Sequence, residues 1–361
     1  MKYSLPEEFH VFGFARDLLE WYDSQKRDLP WRINRDPYRV WVSEIMLQQT
    51  RVETVKPYYM NFMEKFPTVR ALAEAPEEDV LKAWEGLGYY SRVRNLQAAA
   101  REVQARYGGV VPDKPEEIRT LKGIGPYTAG AILSIAYEKP EPAVDGNVMR
   151  VFSRLLYLTD DIAKPAARIK IEQLVRQVIP EGRAGDFNQA LMELGAMVCT
   201  PRSPHCLTCP VFDYCLARRE GVQEELPNKG KAKPPRPVDL QVAVLLRDRQ
   251  VLIHKRPEQG LLAGMWVFPM AEGDAWGEAD QKELLAQGLL AQFGVEAEVL
   301  HSLGEVQHTF SHLQWNMRVW LCDWIDGQEL PPSARFVSIE QLDEYTFPVA
   351  HHKIRPLLPR T

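Results

Sequence analysis

The sequence predicts two domains of different class: an all-α domain over residues 1–225 and a small α+β domain over residues 238–361. Three observations carry that expectation. At 361 residues the chain is longer than a single hydrophobic core usually supports. Apolar residues recur at helical spacing through residues 8–225 and at a spacing of two beyond residue 238. Between the two patterns, residues 226–237 hold Pro227, Lys229, Gly230, Lys231, Lys233, Pro234, Pro235, Arg236 and Pro237, a composition that makes a semi-stiff linker.

In the first domain the apolar residues of 12–22, 40–62, 80–84, 129–136, 148–156 and 187–198 each line one side of a helix, and Asp113-Lys114-Pro115 and Lys139-Pro140-Glu141-Pro142 punctuate the loops. In the second, 240–246 and 251–254 alternate as strands around the charged turn 247–250. A helix follows over 280–293, stopped by Gly294, and then a strand over 315–324 in which Cys322 is a packing residue. Residues 1–230 carry 31 basic and 32 acidic side chains and the remainder 13 and 17, so bulk charge announces no nucleic acid and any such claim must rest on local motifs. No apolar run approaches the roughly 18 residues of a membrane span, and the amino terminus meets Glu7 and Glu8 without the apolar core of a signal peptide. A cytoplasmic monomer with no membrane partner is expected.

Four of the five cysteines, Cys199, Cys206, Cys209 and Cys215, fall within 17 residues at the spacing C-x6-C-x2-C-x5-C. Soft thiolates on one short loop suit an iron-sulfur cluster or a zinc ion. A zinc ribbon would carry its Cys-x-x-Cys pair twice, and only Cys206 and Cys209 are so paired, which favours the cluster, with disulfides as a further alternative. Pro201, Pro204 and Pro210 deny the loop a regular helix.

The string Leu121-Lys122-Gly123-Ile124-Gly125-Pro126-Tyr127-Thr128-Ala129 places a Gly-x-Gly turn directly before a helix, so that backbone N–H groups point outward to hold a phosphate; an ordinary interhelical turn is the alternative. Its full pattern resembles the helix-hairpin-helix signature, which grips the DNA backbone without reading sequence. Asp145, in Val144-Asp145-Gly146-Asn147-Val148, stands near the start of the next helix, where a simple N-cap is the alternative to a catalytic carboxylate. Glu44 lies in Val42-Ser43-Glu44-Ile45-Met46-Leu47-Gln48-Gln49-Thr50, an otherwise apolar helical run in which an unpaired carboxylate is costly unless it faces solvent.

Hairpin, downstream Asp145 and four-cysteine loop together resemble the endonuclease III superfamily of DNA glycosylases over residues ~8–220. The resemblance implies a 4Fe-4S cluster on Cys199, Cys206, Cys209 and Cys215, and backbone contacts to DNA at Gly123 and Gly125. Members that also cut the DNA backbone carry a lysine where this chain has Tyr127, and a phenol cannot form the imine, so only hydrolysis of the glycosidic bond is implied. The string around Glu44, the entry residues Leu29-Pro30-Trp31-Arg32 and the run Gly86-Leu87-Gly88-Tyr89-Tyr90-Ser91-Arg92 are similar to the branch that excises adenine mispaired with 8-oxoguanine or guanine. The similarity implies that Glu44 is the general acid and then the base toward water, that Asp145 steadies the oxocarbenium-like sugar or traps it covalently, and that Tyr127 and Asn147 hold the centre and its water. Gln49, Thr50, Leu87 and Tyr89 correspond to residues that enter the duplex when the base leaves the stack, and Trp31, Arg32 and Gln189 to the adenine pocket.

The second domain resembles a Nudix fold, yet Ala291-Gln292-Phe293-Gly294 stands where the magnesium-binding Glu-Glu-x-Gly belongs. The resemblance implies a reader of 8-oxoguanine in place of a hydrolase, with Phe310 stacking and Ser311 and His312 hydrogen-bonding in Gln307-His308-Thr309-Phe310-Ser311-His312-Leu313; a polar hairpin tip is the alternative. The overall expectation is an all-α helix-hairpin-helix glycosylase domain with an iron-sulfur cluster loop, joined to a small α+β Nudix-like domain and acting on double-stranded DNA. A glycosylase with lyase activity on damaged bases, or a non-catalytic iron-sulfur DNA-binding protein, are the rival readings.

Overall fold

The computed structural model describes residues 3–230, 233–273, 277–327 and 329–359. The chain forms two compact units, Met1–Pro76 with Ser91–Lys231 and Glu77–Tyr90 with Ala232–Thr361.

The helices of the chain up to the cysteine loop are α1 (Val11–Gln25), α2 (Pro37–Leu47), α3 (Val52–Lys65), α4 (Val69–Glu74), α5 (Glu77–Trp84), α6 (Ser91–Tyr107), α7 (Pro115–Ile118), α8 (Pro126–Tyr137), α9 (Gly146–Leu155), α10 (Pro165–Arg176) and α11 (Ala184–Met197), with α12 (Leu216–Arg219) after it. All but α5 belong to the first unit. The local chemistry is plain at α2: the Asp36 carboxylate accepts from Arg39 N at 2.8 Å, and Pro37, with no N–H to satisfy, takes the first helical position. The run 40–62, expected as one helical stretch, is two helices, because Gln49 turns to φ 57 and ends α2 before α3 begins at Val52. Phe14, Leu18, Phe152, Leu174, Phe187 and Leu191 join α1, α9, α10 and α11 in one core. Each such buried side chain is worth about 1.5–3 kcal/mol. At the hairpin, Gly123 is at φ +80, and a Cβ there would stand 2.8 Å from that of Asn95. α8 follows with no side-chain cap, Pro126 at its first turn and Thr128 to Ile135 buried.

The second unit is a seven-stranded sheet in the order β3-β2-β1-β6-β5, with β4 on β1 and β7 on β2. Its strands are β1 (Arg236–Arg247), β2 (Gln250–Lys255), β3 (Trp266–Val267), β4 (Met270–Glu272), β5 (Val295–Thr309), β6 (Leu313–Gly327) and β7 (Ala334–Ser338), with α13 (Glu278–Phe293) between β4 and β5 and α14 (Val349–His352) near the end. β1 and β6 run parallel, from Arg236 opposite Leu313 to Leu246 opposite Asp323. β1 is buried on both faces: Val242 and Val244 meet Phe268, Phe347 and Ile354, while Ala243 and Leu245 meet Leu285 and Leu289 of α13. Gly294, at φ 65, ends α13 as expected.

Segment Glu77–Tyr90 packs with this second unit. The Glu85 carboxylate accepts from Phe347 N at 2.8 Å and lies 2.9 Å from His352 Nε2, and Lys82 Nζ donates to Tyr345 O at 3.1 Å. At the other boundary, the start of the proline-rich stretch is held by the first unit: Ile162 N donates to Asn228 O at 3.0 Å and Gly230 N to Asp161 Oδ1 at 3.1 Å. Its end is already strand, since β1 begins at Arg236. Among the described residues, no helix is long and apolar enough to cross a membrane.

Candidate active site

A cleft of about 1430 Å³ opens in the first unit. Its lining brings together Glu44, Tyr127, Asp145 and Asn147 with Gln49, Thr50, Gly123, Gly125, Trp31, Arg32 and Gln189, residues that stand up to 158 positions apart in the sequence.

Glu44 projects from α2 between buried neighbours and is 5% exposed. Tyr127, in the first turn of α8, donates its hydroxyl to Glu44 Oε2, and Met192 Sδ lies 3.3 Å from the same hydroxyl. Burial lifts the Glu44 carboxyl from the ordinary 4.5 to about 7, with the nearby negative charge of Asp145 adding to the rise and the Tyr127 hydrogen bond opposing it. Burial likewise pushes the Tyr127 phenol well above its usual range.

Asp145 is the N-cap of α9: one carboxylate oxygen accepts from Val148 N at 2.7 Å and the other from Asn147 Nδ2 at 2.8 Å. The cap expected as the plain alternative is therefore present, and the same carboxylate lines the cleft. Burial raises its titration, while the donors from Val148 and Asn147 favour the ionised form. Behind it, Arg150 donates to Asn147 Oδ1, Gly195 O and Cys199 O, each at 2.8 Å, so hydrogen bonds run unbroken from Asp145 to the cysteine loop. Gly195 permits this approach, because a Cβ there would lie 2.6 Å from Asn147 Cβ.

Toward the mouth, Arg32 Nε donates to Gln189 Oε1 at 3.1 Å and Nη2 to Glu193 Oε2 at 3.0 Å, and Arg27 Nε reaches Glu193 Oε1 at 2.8 Å. Glu193 is 1% exposed, and although burial alone would raise it, the two guanidiniums hold its carboxyl down at about 2. Trp31 stands edge-on to Tyr59 at 5.5 Å. Sequence reading missed Glu193, Arg27 and Arg150. The signal was available for two of them: Glu193 interrupts the apolar run 191–194 as Glu44 interrupts its own, and Arg150 breaks an apolar run on α9.

Leu87 and Tyr89 lie in the Glu77–Tyr90 segment of the second unit; Leu87 is 7% and Tyr89 46% exposed, and Tyr89 is at φ 49. Phe310, Ser311 and His312 are the tip joining β5 to β6, closed by Phe310 N on Leu313 O at 2.7 Å. The Phe310 ring stacks edge-on between His308 and Trp315, at 4.6 and 4.9 Å, while Ser311 and His312 are exposed.

Cys199, Cys206, Cys209 and Cys215 are all unpaired, which removes the disulfide alternative, and the loop between them is wound into short 3-10 turns at Cys206–Thr208 and Phe212–Tyr214. The donor set fits an iron-sulfur cluster. Burial pushes Cys209 up to about 12, and Cys206 and Cys215 upward, so the thiolates need a positive partner. The buried Arg154 guanidinium stands 3.3 Å from Cys199 Sγ while binding Thr200 O, Pro201 O and Leu226 O. Among the described residues, no three His, Cys, Asp or Glu side chains are grouped so as to hold a single metal ion.

Three family models match: HhH-GPD superfamily base excision DNA repair protein over residues 42–177, iron-sulfur binding domain of endonuclease III over 199–215, and NUDIX domain over 241–356. They define a base-excision DNA glycosylase whose cysteine loop binds a 4Fe-4S cluster. The Homo sapiens adenine DNA glycosylase is 38% identical across 95% of this chain and 73% of its own, and that of Schizosaccharomyces pombe 34% across 93% and 87%. A solved thermostable thymine-DNA glycosylase is 31% identical, with a TM-score of 0.54 over 58% of this chain and 97% of its own. An endonuclease III bound to DNA shares the fold of the helical unit, at 22% identity and a TM-score of 0.51 over 61% of this chain and all of its own. The chain belongs to the MutY family of adenine DNA glycosylases.

Proposed function

We propose that this enzyme removes adenine paired with 8-oxoguanine, or with guanine, from double-stranded DNA by hydrolysis alone. The observation that carries the reading is Glu44: a buried carboxyl poised near 7, hydrogen-bonded to Tyr127 and beside Asp145 in one cleft. Adenine leaves poorly until a ring nitrogen is protonated, and neutral Glu44 is the donor. The bond from C1′ to the base breaks with its electron pair going to the base, which departs neutral after taking the proton. The Asp145 carboxylate, fixed by Val148 N and Asn147, offsets the positive charge that develops on the sugar. Ionised Glu44 then takes a proton from the water that attacks C1′, and is reset.

Around this centre, Trp31, Arg32 and Gln189 would hold the extruded adenine. Gly123 and Gly125 would offer backbone donors to a phosphate, and Gln49, Thr50, Leu87 and Tyr89 would fill the vacated stack. Cys199, Cys206, Cys209 and Cys215 are the proposed cluster ligands, and the cluster's part is to hold the loop. The tip residues Phe310, Ser311 and His312 would read the 8-oxoguanine, since the excised base is itself undamaged and only its partner marks the site. The reading is tested by single-turnover incubation with an 8-oxoguanine:A duplex. It predicts free adenine and an intact abasic strand that breaks only on alkaline treatment. Strand breaks without alkali would favour the lyase reading, and no adenine release the non-catalytic one.

A further inference from the structure

The turn that carries Gln49 and Thr50 is held by an arginine from another helix. A helix leaves its last carbonyls without partners of its own. At the end of α2, Arg92 Nη1 lies 3.0 Å from Ile45 O and 3.1 Å from Met46 O and also donates to Gln48 O, while Nη2 is 3.4 Å from Thr50 Oγ1. One planar group therefore caps the helix that presents Glu44 and spans the residues on either side of Gln49, which sits in the left-handed region at φ 57. That conformation is uncommon for a residue with a side chain and persists only where its surroundings impose it. A cation at this end of the helix is also favoured by the helix dipole. Arg92 is half-buried and lies in the first turn of α6.

We propose that Arg92 is a positioning residue for base extrusion. It sets the Gln49–Thr50 turn in its inserting shape before DNA binds, so that opening the duplex does not also have to order the protein. The idea rests on the glycosylase reading above. Lysine cannot substitute, because a single ammonium cannot span acceptors on both sides of the turn as a guanidinium does.

The test uses Arg92→Lys and Arg92→Met in the full-length, cluster-loaded protein, with visible absorption and thermal midpoint reporting the fold; should Arg92→Met not fold, Arg92→Lys carries the test. Single-turnover adenine release is measured on an 8-oxoguanine:A duplex and on a duplex whose adenine faces an abasic site, where extrusion is easy. We expect release from the first to slow by about tenfold to a hundredfold and from the second by less than about threefold. A duplex with 2-aminopurine in place of the target adenine should show a smaller rise in fluorescence on binding the variants. Equal slowing on both duplexes would assign Arg92 a general structural role, and unchanged rates would show that the turn holds without it; either overturns the proposal. If wild-type protein released no adenine at all, the glycosylase reading would fall, and the fluorescence comparison would still decide for or against Arg92.

Discussion

In the proposed mechanism Glu44 acts only while it keeps its proton. With its titration lifted to about 7, it is neutral below that pH and ionised above it. The single-turnover rate should therefore hold up to near pH 7 and fall as pH rises through it, measured as adenine released from pre-bound duplex. Glu44→Gln should bind the duplex, which rests on backbone contacts, yet release no adenine; near-normal excision by that variant would end the mechanism. The same carboxyl burdens the fold. Between the unfolded value of 4.5 and the folded value of about 7, the unfolded chain loses its proton first, so stability drains away as pH rises and stays lost above 7. Gln cannot ionise, so Glu44→Gln should be the more stable protein by about 3 kcal/mol at pH 8 and by little at pH 4, read from urea midpoints. Equal stability of the two proteins at pH 8 would mean that the ionised carboxylate is better solvated than its burial implies.

At the scale of elements, α9 connects the two chemistries of the first unit. Its N-cap is Asp145, its first turn carries Asn147, and Arg150, one turn on from Asn147, ends on the carbonyl of Cys199. α11 fits against that turn only because residue 195 lacks a Cβ. Gly195→Ala should displace Asn147, lowering stability by about 1–3 kcal/mol and slowing adenine release while the visible absorption of the cluster stays; an undiminished rate would show that Asn147 tolerates the shift. Cys206→Ser should instead lose that absorption. Most of these helices were legible in the sequence because each buries one side at regular spacing. The break between α2 and α3 was not, since the carbonyls left at the end of α2 are met by a guanidinium from residue 92, which no local pattern records. β5 also escaped, because bulges at Glu296, Val299 and Ser302 scramble its alternation. At the site, motifs brought Glu44, Tyr127 and Asp145 into view, while the ion pairs of Glu193 with Arg27 and Arg32 arise from residues more than 160 positions apart.

For the whole molecule, recognition of the damaged base is the claim that separates this family from its relatives, and removing residues 238–361 is a poor way to test it. Segment Glu77–Tyr90 packs with those residues: the Glu85 carboxylate accepts from Phe347 N and meets His352, and Lys82 donates to Tyr345 O. The truncated protein would lose these contacts of the segment that carries Leu87 and Tyr89, so lost activity would have two causes. Changing Phe310, Ser311 and His312 together to Ala leaves the segment covered. That variant should still release adenine but lose preference for 8-oxoguanine:A over G:A by roughly 1–3 kcal/mol, measured as single-turnover rates and affinities on both duplexes. An unchanged preference would place recognition in the helical unit.

Because Glu77–Tyr90 is made early and packs with a unit completed last, the order in which the chain is synthesised bears on how it matures. At about 5–20 residues per second, roughly ten to fifty seconds separate the emergence of Trp84 from that of Phe347. For that interval Lys82 and Glu85 have not yet met Tyr345, Phe347 and His352. A premature stop between residues 232 and 344 should therefore remove these partners of Lys82 and Glu85 and lower the thermal midpoint of the protein that is made, in addition to any loss of discrimination.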